Sequence, residues 1–206
     1  MTDPAVGEMF DSLAGTYDAD PFHPLVSDAL VDGLEYGLAL VTDVACGTGI
    51  AAFAAVGRRN AGRVLAIDVS AGMIARAKAK AASLDQDGRI EFSVGQAVPL
   101  PVSPGTVDAV VCASALHFIG AAGLRDWVRV LRPGGRVAFS VPDAAMFSPA
   151  PEFAAVLPDD FALPATETDA AAIAADAGFT AVAARRVTLA GERPRSVFVV
   201  HAELPG

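Results

Sequence analysis

Residues 43–49 read DVACGTG and follow the apolar run LALVT. The run predicts a buried strand, and the two glycines predict a tight turn in which a ligand can touch the backbone. The next residues, IAAFAAVG, have a helix-forming composition. Strand, glycine turn and helix make up half of a nucleotide-binding βαβ unit, so this stretch predicts a nucleotide-like ligand.

Four more apolar runs of strand length occur along the chain, and they read RVLAIDV, RIEFSVG, TVDAVVCAS and RVAFSVP. Helical patterns follow the first and third of these runs, and Ser70 is placed to cap the helix that follows RVLAIDV. Near the end of the chain, two alternating segments predict an antiparallel hairpin that turns at Gly191 and Glu192. The order predicts an α/β fold: a Rossmann-like, doubly wound, mostly parallel seven-stranded sheet with a C-terminal antiparallel hairpin.

The pattern predicts one domain over residues 1–206, with two segments outside the sheet and its helices. Residues 1–36 form a predicted helical cover, in which Leu25, Ala29, Leu30 and Leu34 share one stripe of a helix. Residues 142–165 contain five prolines and several large apolar residues, as is typical of a lid or binding loop.

Bulk composition excludes several classes of protein. With 53% hydrophobic residues among 206 and a net charge of −9, the chain can bury a full core but offers little basic surface to nucleic acid or anionic membranes. The acidic N-terminus and the lack of about 18 uninterrupted apolar residues predict a cytoplasmic protein. Cys46 and Cys112 lie at apolar strand ends, which predicts buried thiols and neither a disulfide nor a metal site.

The glycine turn alone leaves two classes of cofactor open. GTGIAA satisfies the dinucleotide pattern G-x-G-x-x-A, and Asp68 ends the next strand, where a carboxylate can bind two ribose hydroxyls. An NAD(P)-dependent oxidoreductase is therefore one reading. Against it, Asp43 precedes the glycines, where a carboxylate suits a cationic ligand better than pyrophosphate, and the terminal hairpin is unusual for dinucleotide domains.

An ordered set of motifs over residues 5–203 resembles the class I S-adenosylmethionine-dependent methyltransferases, in the small-molecule branch that includes quinone-biosynthesis enzymes. The motifs are FDSLAGTYD, DVACGTG, AIDVSAGMI, GQAVPLPVSPGTVDAVVCASALHF, VLRPGGRVAFSVP and ADAGF. The resemblance implies S-adenosylmethionine as the cofactor and methyl transfer to an O, N or C atom of a small acceptor. A cofactor-binding protein of the same fold without methyl transfer stays open as an alternative.

The resemblance also implies roles for single residues. Gly47 and Gly49 would admit the methionine part of the cofactor beside Ala45, and Asp43 would orient its amino end. Asp68 would bind the ribose, and Tyr17 would close over the cofactor. The remaining implied cofactor contacts are Val69 and Met73 at the adenosine, Gln96 and Ala97 at the adenine edge, and the Ala113 carbonyl at the ammonium group. Gln96 stands where the family usually has an acid, and its amide oxygen can still accept from the adenine amino group.

A general base is needed only if the acceptor must lose a proton. His117 follows the fourth strand at the edge of the sheet where ligands bind and is the first candidate base. His23 in the N-terminal cover is the second candidate, and Asp143 beyond the fifth strand is the third.

The acceptor is predicted from the lid and from the distribution of charge. The lid supplies large apolar side chains that suit a flat or apolar acceptor, and because it is short for the family, a second subunit could complete the site as a homodimer. Residues 1–57 and 137–184 contain sixteen acidic residues and no Lys or Arg. If these segments roof the pocket, as in relatives, their negative potential predicts a neutral or cationic acceptor.

Overall fold

The computed structural model describes residues 4–192 and 194–206, with side chains described from Val6 onward. The strands are β1 (Leu40–Val44), β2 (Arg63–Asp68), β3 (Ile90–Val94), β4 (Val107–Cys112), β5 (Leu131–Pro142), β6 (Thr180–Leu189) and β7 (Arg195–Glu203). The helices are α1 (Pro4–Leu13), α2 (Phe22–Val31), α3 (Ile50–Arg59), α4 (Ala71–Leu84), α5 (Leu116–Ile119), α6 (Ala121–Val130), α7 (Pro151–Ala154) and α8 (Glu167–Asp176), with a 3₁₀ turn at Tyr17–Ala19.

The seven strands form one sheet in the order β3-β2-β1-β4-β5-β7-β6. Strands β1 to β5 are parallel, and β7 enters antiparallel between β5 and β6. This confirms the predicted Rossmann-like sheet with its inserted C-terminal strand. Because the carboxyl ends of β1, β2, β4 and β5 lie at one edge, the loops that follow them meet there.

Helices cover both faces of the sheet, and the strand residues divide between them. On β4, Ala109 and Val111 belong to one buried cluster, and Val110 and Cys112 belong to the other. The thiols of Cys46 and Cys112 are buried and unbridged, as predicted, and burial raises the pKa of both.

The Thr166 cap of α8 and the Ser70 cap of α4 are both present. The Ser70 hydroxyl accepts from the Met73 amide at 3.0 Å, and Thr166 and Asp169 form a reciprocal capping box. Each cap satisfies an amide that the first helical turn leaves without an intrahelical partner, which fixes where the helix begins.

Three local predictions were wrong or incomplete. The buried stripe of α2 includes Val26 and Val31 beside Leu30, while the predicted member Leu25 is 36% exposed. Strand β5 begins at Leu131 and not after the RPGG segment, because Leu131 pairs with Val107 across an irregularity in the ladder. The sequence also did not reveal α5, a single turn directly after β4.

Within the described part of the chain, no helix combines the length and apolarity needed to cross a membrane. In the same residues, no three His, Cys, Asp or Glu side chains group together in a way that could hold a metal ion.

Candidate active site

Two neighbouring cavities lie where the loops after the parallel strands meet the N-terminal segment. The smaller has a volume of about 190 Å³ and is bounded by the glycine turn, the end of β2 and the loop after β4. Eight of the eleven residues predicted to bind the cofactor line it, namely Tyr17, Ala45, Gly47, Asp68, Val69, Met73, Ala97 and Ala113. Residues far apart in sequence therefore converge on one cavity.

Asp68 links the glycine turn to the start of α4. Its Oδ2 accepts from the Gly47 amide at 2.7 Å, and its Oδ1 accepts from the Ser70 amide at 2.8 Å. Burial raises the pKa of the Asp68 carboxyl, and these amides partly offset that rise. Each carboxylate oxygen can accept more than one hydrogen bond, so Asp68 can still bind hydroxyl groups in the cavity.

Asp43 lies behind the glycine turn and not in the cavity wall. Both of its carboxylate oxygens are buried without a hydrogen-bond partner among the described residues. Burial raises its pKa to about 8, and the neighbouring Asp68 adds to the rise, so the carboxyl group is mostly protonated and neutral near pH 7. A positively charged ligand at the turn would favour the ionised form of Asp43, whereas the predicted direct contact with an amino group stays a prediction.

The other two predicted residues also lie outside the lining. Gly49 caps α3 with φ +84°, and a Cβ there would come within 2.7 Å of the Phe92 ring. Its freedom from a side chain is thus used for the turn and for packing, and not for approach of a ligand. Gln96 lies between lining residues Gly95 and Ala97, and its contact with adenine remains a prediction.

Tyr17 separates the glycine turn from solvent. A Cβ at Gly47 would lie 3.5 Å from the Tyr17 ring, so the ring rests directly over this residue. The Tyr17 ring also stacks on the His23 ring, with centroids 3.8 Å apart and an angle of 9° between the ring planes. Burial raises the pKa of Tyr17, and nearby carboxylates, Asp68 first among them, raise it further, so the phenol stays neutral.

Three aspartates fasten the N-terminal segment to the rest of the domain. Asp11 accepts from the Ser70 hydroxyl at 2.5 Å and from the Gly72 amide at 2.7 Å. Asp18, next to Tyr17, accepts from the Thr48 hydroxyl at 2.5 Å and pairs with Lys80 at 3.1 Å.

The third of these contacts is a bidentate ion pair. Arg195 of β7 donates to both oxygens of Asp20, at 2.5 and 2.6 Å, and holds the pKa of Asp20 at about 2. None of the three contacts could be read from the sequence, because the partners lie between 30 and 175 residues away.

The larger cavity, about 550 Å³, adjoins the first. Phe10, Tyr17, Ser114 and Phe118 line both cavities and so mark the border between them. Phe10 meets Phe118 edge to face at 5.8 Å and Phe153 at 5.9 Å, which joins the N-terminal segment to the lid. This aromatic wall agrees with the apolar acceptor site that the lid residues predicted.

Both candidate histidine bases line the larger cavity. Burial lowers the pKa of His117 to about 4, and its buried Nδ1 has no hydrogen-bond partner in the described part of the chain. Burial also lowers the pKa of His23, although Asp20, 3.7 Å from its Nε2, opposes this. Both rings are therefore neutral near pH 7.

The third candidate base, Asp143, was predicted wrongly. Arg186 of β6 donates to its Oδ2 at 2.5 Å, and the Ala145 amide donates to its Oδ1 at 3.0 Å. Asp143 is fully buried in these contacts and lines neither cavity. Its position after β5 suggested a base, but the hairpin supplies a cation that makes it an anchor for the start of the lid.

The smaller cavity fits S-adenosylmethionine chemically. Asp68 offers a carboxylate for ribose hydroxyls, and the bare backbone at Gly47 allows close approach of the methionine part. Ile67, Val69 and Met73 form an apolar surface for a flat base. The buried Asp43 carboxyl group has no hydrogen-bond partner among the described residues, and a positively charged ligand in the cavity would be favoured by the negative charge that Asp43 gains on ionisation.

Comparison with known proteins agrees with this geometry. Residues 41–135 match the family described as Methyltransferase domain. An arsenite methyltransferase of Halobacterium salinarum is 34% identical over 69% of this chain and 37% of its own length. A ubiquinone/menaquinone biosynthesis C-methyltransferase of Geotalea daltonii is 29% identical over 69% of this chain and 66% of its own length. The chain thus spans between about one third and two thirds of these curated relatives.

A solved structure shares nearly the whole fold. A SAM-dependent methyltransferase from Aquifex aeolicus superposes with a TM-score of 0.65 at 24% identity, covering 99% of this chain and 100% of that one. The family match includes the glycine turn, Asp68 and the loop after β4, which are the residues that form the smaller cavity. Over residues 41–135 the chain is therefore similar to the methyltransferase domain family, and its whole fold is similar to that of a SAM-dependent methyltransferase.

Proposed function

We propose that this chain transfers a methyl group from S-adenosylmethionine in the smaller cavity to an O, N or C atom of a small apolar or aromatic acceptor in the larger cavity. The observation that carries the proposal is that a cavity suited to the cofactor adjoins a cavity rich in aromatic side chains. The two cavities share four lining residues, Phe10, Tyr17, Ser114 and Phe118. When bound, the cofactor supplies an electrophilic methyl group on sulfur. The protein then has to align two molecules across that border.

The residues at the border serve alignment and exclusion of water. Such displacements need no nucleophilic side chain, because holding the reacting atoms in line supplies most of the acceleration. The aromatic rings of Phe10 and Phe118 shield the border from solvent. The neutral His117 ring can accept a proton from an acceptor that must lose one.

The acidic residues of the N-terminal segment support a neutral acceptor more than a cationic one. Most of these acids are already paired. Asp18 pairs with Lys80, Asp20 pairs with Arg195, and Arg58 pairs with Asp28 and Asp32. In the larger cavity the charges of Asp20 and Arg195 cancel each other, and both histidines are neutral. In the N-terminal part of the negative roof expected from the sequence, these ion pairs offset the charge of Asp18, Asp20, Asp28 and Asp32.

The proposal is tested by binding followed by turnover. We expect S-adenosylhomocysteine, measured by isothermal titration calorimetry, to bind the protein and NADH not to bind. Isotopically labelled methyl groups should then move from S-adenosylmethionine to at least one member of a panel of flat phenols, amines and quinols. Binding of NADH instead would favour an oxidoreductase. Cofactor binding with no transfer to any acceptor would favour a cofactor-binding protein without methyl transfer.

A further inference from the structure

Ser114 differs from the other residues that line both cavities. Phe10 and Phe118 are apolar, and Tyr17 is stacked on His23 over the glycine turn. Ser114 also contributes to a third, small cavity of about 20 Å³ between the turn and the N-terminal segment. Ser114 and Tyr17 are thus the polar residues that line all three cavities, and the Tyr17 phenol is stacked on His23.

The backbone holds Ser114 in a conformation that serine rarely adopts. Its φ is +57°, in the left-handed region where glycine is the usual residue. The Ser114 amide donates to the hydroxyl of the fully buried Ser140 on β5 at 2.8 Å. A strained position that the neighbouring strand holds in place is more typical of functional sites than of simple loops.

Two side-chain polar atoms between Ser114 and His117 lack hydrogen-bond partners among the described residues. Within the part of the chain that the structure describes, the Ser114 hydroxyl is buried without a hydrogen-bond partner, and so is Nδ1 of His117 three residues later. Buried polar groups are nearly always paired, and two unpaired groups on one short segment call for an explanation. A ligand that supplies a donor and an acceptor together would satisfy both.

We propose that Ser114 and His117 form a polar subsite for the acceptor group that receives the methyl, and that this group is a hydroxyl or amine and not a carbon. The inference rests on the proposed function and narrows its substrate class. The acceptor oxygen or nitrogen forms the new bond to the methyl carbon, and the pair of the broken carbon–sulfur bond stays on sulfur. The acceptor proton passes to the neutral His117 ring, which lines the same cavity.

A binding experiment tests the subsite without turnover. The probes are 2-naphthol and 2-methoxynaphthalene, which share a ring system and differ in the proton on oxygen. In protein saturated with S-adenosylhomocysteine, we expect calorimetry to show about 5-fold or greater preference for 2-naphthol. This corresponds to the lower end of the effect of leaving a buried polar group unpaired. The preference should disappear in Ser114→Ala.

Two variants separate the hydroxyl from the backbone. Ser114→Ala removes the hydroxyl at the same φ, and Ser114→Gly removes it while relieving the backbone strain. We expect both to lose the preference for 2-naphthol; because Ser114 also lines the smaller cavity, the dissociation constant of S-adenosylhomocysteine is measured for each variant so that the preference is compared at saturation. Ser83→Ala, on the exposed side of α4, makes the same chemical change away from both cavities and should leave the preference intact.

The activity assay distinguishes the two proposals. If wild-type protein methylates phenols or amines, Ser114→Ala should lower kcat/KM for them by about 5- to 100-fold, in line with an unpaired buried partner. Equal kcat/KM for wild type and Ser114→Ala, or methylation on carbon shown by NMR of the product, would overturn the subsite and leave methyl transfer standing. Absence of transfer from wild type to every acceptor would instead overturn the proposed function and this inference with it.

Discussion

The two cavities share four residues but are built in opposite ways. The smaller one combines the backbone of the glycine turn, the buried Asp68 carboxyl group and apolar side chains, mostly from the loops after β1 to β4, and the N-terminal segment covers it with Phe10 and Tyr17. The larger one is mostly aromatic and draws on the N-terminal segment, α5, the lid and β7. Under the proposed function, cofactor binding depends mainly on the ends of the strands, whereas the choice of acceptor depends on segments attached to the sheet.

The largest expected effect is on stability and concerns Asp43, the buried carboxyl group behind the glycine turn of the smaller cavity. The pKa of Asp43 is raised from 3.8 to about 8, so between these values the folded protein holds a proton that the unfolded chain releases. The free energy of unfolding therefore falls with rising pH by roughly 1.4 kcal/mol per unit in that window from this group.

Asp43→Asn removes this penalty while keeping the shape of the side chain. We expect the variant to gain stability over wild type as pH rises from about 4 to 8, measured by denaturant unfolding without ligand. Above about pH 8, where the wild-type carboxyl group is ionised, the variant should also bind S-adenosylmethionine more weakly, because the negative charge behind the turn is lost. A constant stability difference at every pH would show that Asp43 is ionised throughout.

The next effect concerns ribose recognition in the same cavity. Asp68→Ala should weaken S-adenosylhomocysteine by roughly 1.5–3 kcal/mol, the scale of hydrogen bonds to a charged group. Because Asp68 also accepts from the Gly47 and Ser70 amides, circular dichroism must confirm that the variant is folded. If calorimetry gave the wild-type dissociation constant for the folded variant, Asp68 would not be part of the cofactor site.

A smaller effect is expected at the junction of the two regions. Asp18 holds the turn that carries Tyr17 against Thr48 and Lys80. Asp18→Asn keeps hydrogen bonding to Thr48 but weakens the ion pair, so we expect S-adenosylhomocysteine to dissociate about 2- to 5-fold faster in stopped-flow measurements, the scale of a partly exposed pair. Asp28→Asn, which alters an exposed pair with Arg58, is the matched control and should leave this rate unchanged.

The smallest effect concerns pH and the larger cavity. Because burial lowers the pKa of His117 to about 4, its ring is already neutral at pH 6. The rate of methyl transfer to a neutral amine should therefore be nearly constant from pH 6 to 9. The sequence alone predicts an inflection near the ordinary histidine pKa of about 6.5. If the rate instead fell below about pH 6.5, and this fall disappeared in His117→Gln, the His117 ring would be solvated.

The sequence predicted the cofactor side better than the acceptor side for a physical reason. Asp68 and Gly47 stand at fixed offsets from strands whose apolar runs are visible, so their meeting follows from parallel pairing. Phe10 and Phe153 meet only because the chain folds back from both ends, and no local pattern encodes that distance. Asp143 was mistaken for a base for the same reason, since Arg186 reaches it through the register of the hairpin.

The central claim, that the smaller cavity holds the cofactor and the larger one the acceptor, is tested most directly by filling each cavity in turn. Ala97 lines the smaller cavity and Leu13 lines the larger one. Calorimetry should show that Ala97→Phe weakens S-adenosylhomocysteine by at least about 10-fold, as expected when a bulky group occupies a close-packed site, and that Leu13→Trp leaves its affinity unchanged. Unchanged affinity in Ala97→Phe with loss in Leu13→Trp, both variants being folded, would contradict the assignment of the two cavities.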